Sequence, residues 1–251
     1  MPLLICCRTE VFRRQRQGTF FRGRDMFQGF SQDTVDFMWG IRFNNEKSWF
    51  EAHKAQYQSC FLAPMRELGA QVQADILDRF PHSGLNLKIS RIYRDARRLF
   101  GRGPYKDHLW LSLFRWGNES GGHPVFWFEL APDGWSYGMG FWDAQAVTMM
   151  KHRARIDRDP KPLLRLHNKL AKQSEFALEG PAYSRPKPCA EPSLRSWYNK
   201  KSLSIGHEEP LSELLYDPSL ADRLAEGFSF LMPYYDYFST LWADPDPREN
   251  S

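Results

Sequence analysis

The chain has 251 residues, 42% hydrophobic and 15% aromatic, which is enough to bury a core of its own. No run approaches the roughly 18 uninterrupted apolar residues that a membrane-crossing helix needs. The formal charge of +4 does not mark a nucleic-acid protein either, because residues 1–25 carry six arginines against Glu10 and Asp25, and the remaining residues sum to zero. Four cysteines, Cys6, Cys7, Cys60 and Cys189, have neither zinc-knuckle spacing nor the density of a disulfide scaffold. That pattern points to a reducing, cytoplasmic setting with no metal or other cofactor.

Residues 1–25 lack element periodicity and are expected to be a disordered extension, or the product of a start placed upstream of Met26. Residues 26–243 are expected to form one domain and 244–251 a disordered tail. Ser31 reads as the N-cap of a first helix with Val35, Met38 and Trp39 or Arg42 on one face, and Asn44-Asn45 break it. Trp49, Phe50, His53, Tyr57 and Phe61 continue at helical spacing. Pro64 is expected to open a third helix with Met65, Leu68, Val72, Ile76 and Phe80 at steps of three and four.

From Ile89 the period drops to two, which predicts strands over 89–94, 109–114, 125–130 and 135–141, the last two joined by the turn Pro132-Asp133-Gly134. Gly138 and Gly140 share the side opposite Trp135, Tyr137, Met139 and Phe141, and the expectation is a closely packed helix there, with a ligand as the alternative. The rest reads as helices from Asp143, from Pro160 and from Leu220, separated by a proline-broken connection over 181–192, with Leu203-Ser204-Ile205 a candidate further strand. The fold class is α+β: a mostly antiparallel sheet of about four strands flanked by N-terminal and C-terminal helices.

Chemistry concentrates in residues 88–115, where eight Lys/Arg meet two acids amid Ile, Tyr, Leu, Phe and Trp. A disordered basic tail would lack those apolar residues, so a structured, electropositive hairpin is expected. Arg91, Arg94, Arg97 and Lys106 supply forked and point-charge donors suited to phosphate or carboxylate. Asp95 either orients one of these arginines toward an anion or is its permanent partner. Arg102 adds charge, and Tyr105 lies beyond the Gly103-Pro104 turn. Asn44, Asn45 and Trp49 sit at a helix start, where free N–H groups attract anions, although capping alone explains the asparagines and core packing the tryptophan. None of these residues is assigned a catalytic role.

The stretch Asn44-Asn45-Glu46-Lys47-Ser48-Trp49-Phe50, then Arg91-Ile92-Tyr93-Arg94-Asp95-Ala96-Arg97 and Gly103-Pro104-Tyr105-Lys106, resembles the conserved-hypothetical family called domain of unknown function 2461 (DUF2461). The likeness spans about 27–241, including Leu231-Met232-Pro233. This chain departs from the family pattern at Arg98, where the family has Phe, and at Gly101-Arg102, where it has Asp-Lys. The resemblance implies an α+β fold and a bacterial, cytosolic setting, and it carries no established activity. Three readings of the arginines follow: a site for a small phosphorylated or carboxylated ligand, an internal ion-pair network in a structural or interaction protein, and single-stranded nucleic-acid binding. The acidic segment 207–251, with ten acids against Arg223 and Arg248, weighs against the last.

Overall fold

A computed structural model describes residues 26–99, 101–115 and 122–249. The expectations for residues 1–25 lie outside these. Helix α1 (Gln32–Phe43) follows Ser31 and buries Thr34, Val35, Phe37, Met38 and Ile41 at steps of three and four. Thr34 Oγ1 accepts from the Ser31 N–H at 3.2 Å and closes the first turn.

Helices α2 (Lys47–Ala52) and α3 (Lys54–Gln56) lead into a π-helical stretch (Tyr57–Leu62) and then α4 (Ala63–Arg79). Pro64 stands in the first turn of α4, as expected, and is tolerated there although the π-helical stretch runs straight into it. The reason is local: proline has no N–H for the carbonyl four residues back. That carbonyl, of Cys60, instead accepts from Thr34 Oγ1 at 2.5 Å, tying the π-helical stretch to α1.

The sheet is antiparallel and has six strands, not about four, in the order β1-β2-β3-β4-β6-β5. They are β1 (Leu85–Ile89), β2 (Leu109–Arg115), β3 (Val125–Ala131), β4 (Gly134–Gly140), β5 (Ala177–Glu179) and β6 (Ser204–Glu209). Of the two added strands, β6 begins within the candidate Leu203-Ser204-Ile205 and runs on to Glu209, while β5 escaped because it is only three residues long.

The first strand is also displaced from the predicted 89–94. Pairing runs from Leu85↔Arg115 to Ile89↔Leu111, and Ser90 then accepts from and donates to Trp110. Past Ser90 the backbone leaves the ladder, so Arg91 to Asp95 belong to a loop.

One face of the sheet is covered by α4 and by α8 (Leu220–Ser239), a helix that accommodates Pro233. Leu109, Leu111, Leu113, Phe126, Phe128, Tyr137 and Met139 are buried beneath them. The opposite face presents Trp110, Ser112, Trp127, Glu129, Ser136, Gly138 and Gly206. The helix expected over Gly138 is replaced there by a side chain and a neighbouring strand: a Cβ at Gly138 would lie 2.6 Å from the Trp127 indole and 2.8 Å from Gly206 Cα. No helix among the described residues is long and apolar enough to cross a membrane. Asp244, placed by the sequence reading in the tail, accepts from Arg155 Nε at 2.6 Å.

Candidate functional site

Between β1 and β2 the chain folds back on itself. The Lys106 N–H donates to Ile92 O at 2.7 Å and the Arg94 N–H to Pro104 O at 2.8 Å, around a Tyr93↔Tyr105 bridge. Asn45 clamps this ribbon from the helix side: its Oδ1 accepts from the Tyr105 N–H and its Nδ2 donates to Tyr105 O, both at 2.9 Å. A side chain at Gly103 would overlap Asn45, so glycine is required for the clamp to close. Tyr105 is buried and stacks on Phe50 with ring centroids 4.3 Å apart. Arg94 Nε donates to the same Tyr105 carbonyl at 2.7 Å.

The charges on this frame divide into two sets. Asp107 gathers the first: it accepts from His108 Nδ1 at 2.9 Å and Arg42 Nε at 2.6 Å, and Arg94 Nη2 lies at 3.9 Å. The His108 hydrogen bond and then Arg42 overcome burial and hold Asp107 well below the usual carboxylate range. Arg42 also reaches Asp133 in the β3–β4 turn at 2.8 Å. Arg97 and Asp95 make a local forked pair at 3.0 and 2.7 Å, and Asp95 also caps the short turn Ala96–Arg98. With Arg97 88% exposed, that pair adds little stability.

The second set comprises Arg91, Arg102 and Lys106. Among the described residues neither Arg91, Arg102 nor Lys106 forms an ion pair. Lys106 Nζ donates to the Arg91 carbonyl and lies over the Trp110 ring, 4.1 Å from its centroid. Burial first, then repulsion from Arg94 and Arg91, push Lys106 down to about 8, against the attraction of Glu129.

The predicted site residues therefore have distinct positions. Arg91, Arg94 and Lys106 come together, Asn45 and Tyr105 shape the loop beneath them, and Arg102 lies at the outer turn. Asn44 donates to Gly40 O at 3.0 Å and finishes α1. Trp49 packs against Gly40 and stacks on His53 at 3.9 Å. Arg42, Asp107, His108, Trp110, Glu129 and Trp142 lie outside the residues that the sequence reading assigned to the site. The signal for two of them was the step of two along extended backbone from Lys106 through His108 to Trp110.

Among the described residues no three His, Cys, Asp or Glu side chains converge as metal ligands. Two clefts lie away from the loop, one of about 300 Å³ lined by Lys151, Arg155, Arg158 and Asp244, the other of about 190 Å³ beside Glu175, Phe176 and Arg223.

Fold and loop together define a class: an α+β protein whose antiparallel sheet carries a cationic loop beside its first strand. Residues 33–237 match the family described as conserved hypothetical protein (DUF2461), and the chain belongs to that family. The matched span contains the whole of the loop. Comparison with curated proteins returns no match.

Proposed function

We propose that the loop joining β1 and β2 binds a small anionic ligand, phosphorylated or carboxylated, through Arg91 and Lys106, with Arg94 lending its charge from beneath. The observation that carries this reading is the pair of cations without carboxylate partners among the described residues, held close enough to repel. An anion between them relieves that repulsion and supplies the missing acceptors. Arg102, at the turn, adds to the field. A reducing, cytoplasmic setting suits the reading, since Cys60 and Cys189 are free thiols.

The ion-pair-network reading is favoured by a different observation for other arginines: Arg42 and Arg94 converge on Asp107, and Arg94 holds the Tyr105 carbonyl. The two readings divide the cluster, with Arg94 as staple and Arg91 as ligand contact.

Thermal unfolding with and without inorganic phosphate, pyrophosphate and succinate tests this division. At a hundredfold excess over its dissociation constant an effective anion stabilises by about 2.7 kcal/mol. Arg91→Met should abolish the response at unchanged basal melting temperature, whereas Arg94→Met should lower basal stability by about 2–3 kcal/mol. No response to any anion, or a response untouched by Arg91→Met, would contradict the assignment.

A further inference from the structure

The cationic loop opens onto a row of flat rings. Lys106, His108 and Trp110 follow one another at steps of two into β2, and their side chains line up on the sheet face that α4 and α8 leave uncovered. The His108 and Trp110 rings lie 5.9 Å apart with 23° between their planes. Trp110 and Trp142 lie 5.7 Å apart at 21°, which extends the row to the segment following β4. Trp142 is 76% exposed, so this large ring, in register with two others, is in contact with water over most of its surface.

On the open face, carboxylates stand across the strands from Trp110. Trp110 is paired across the strands with Glu129, Glu129 with Ser136, and Ser136 with Glu208, in one line over the open face. Glu129 is near enough for its charge to be felt at Lys106. A ligand on this surface meets cations at one end, a flat ring beside them, and carboxylate and hydroxyl acceptors next to the ring. Phosphate, planar base and ribose hydroxyls satisfy those three demands in that order.

We propose that the ligand of the cationic loop is a nucleoside monophosphate, its phosphate held by Lys106 and Arg91, its base stacked on Trp142, and its ribose hydroxyls donating toward Glu129. This rests on the anion-binding reading of the loop and narrows it. A single-nucleotide ligand fits better than a nucleic-acid strand. Past Glu129 and Ser136 the open face carries Glu208 and Glu179, close enough for their charges to interact, and these would repel a continuing phosphate backbone.

Isothermal titration calorimetry on the full chain with adenosine monophosphate, ribose 5-phosphate, adenosine and a dodecameric oligothymidylate tests it. Adenosine monophosphate should bind at least tenfold more tightly than ribose 5-phosphate or adenosine, in line with the worth of one base stacked on an aromatic ring. Trp142→Ala, a change at an exposed position, should bring adenosine monophosphate down to the affinity of ribose 5-phosphate and leave the latter unchanged. Equal affinity for adenosine monophosphate and ribose 5-phosphate would overturn the nucleotide inference while leaving the anion site standing. Absence of binding by either phosphate compound would overturn both. Tighter binding of the oligonucleotide than of the mononucleotide would replace the inference with a nucleic-acid strand.

Discussion

His152 is the most deeply committed titratable side chain of the fold. It is fully buried on α5 (Ala146–Arg158) against Phe238 and Tyr237, and neither ring nitrogen has a hydrogen-bond partner. Burial pushes it down to about 3 from 6.5. The unfolded chain therefore takes up a proton below about pH 6.5 that the folded chain refuses until about pH 3. Stability falls through that window as pH is lowered, by up to about 1.4 kcal/mol per pH unit. His152→Leu should flatten this acid limb and leave stability at pH 7 unchanged or raised, since two unsatisfied nitrogens are removed. Denaturant unfolding between pH 4 and 7 checks it; parallel slopes for both proteins would contradict the assignment. Spacing shows His152 as one of seven scattered histidines and cannot give its burial. Likewise, the sequence brings Arg91, Arg94 and Arg97 forward as equals, because which carboxylate each meets depends on Asp107 and Asp95 in space.

At the scale of elements, long periodic segments were legible and short or polar ones were not. Helix α1, the apolar faces of α4 and α8, and strands β2, β3 and β4 follow from periods of near four and two. The displacement of β1 was hidden because Ser90 to Tyr93 keep alternating after the ladder has ended, and only the Trp110 pairing with Ser90 marks the departure. Pro64 does open α4 within its first turn, but the π-helical stretch running into it was not legible, because the partner of the Cys60 carbonyl, Thr34, lies 26 residues away. The Gly103-Pro104 turn was legible, its clamp was not. Gly103→Ala should force Asn45 away from Tyr105, costing about 1–3 kcal/mol and loosening the ribbon that aims Lys106. The check is chemical denaturation together with the phosphate response: an unchanged midpoint and an unchanged response would show that the Asn45 clamp does not set the loop.

For the whole molecule, the charge polarity evident in the sequence is real, but its two poles meet sparingly. The basic stretch touches the acidic C-terminal segment through Arg115, whose Nη2 lies 2.7 Å from Asp236, while Arg94 turns to Asp107 and Arg97 to Asp95. The field of Arg91, Arg102 and Lys106 is thus left facing outward beside the open sheet face. Lys106 is its reporter. An amine near 8 loses its charge just above neutrality, so anion affinity should fall as pH rises through about 8, and a bound anion should in turn raise the Lys106 midpoint by reciprocal linkage. A carbon-detected NMR titration of the Lys106 side chain, with and without inorganic phosphate, measures both at once. The account predicts a midpoint near 8 that moves upward when phosphate is added; a midpoint at the ordinary 10.5, unmoved by phosphate, would contradict it.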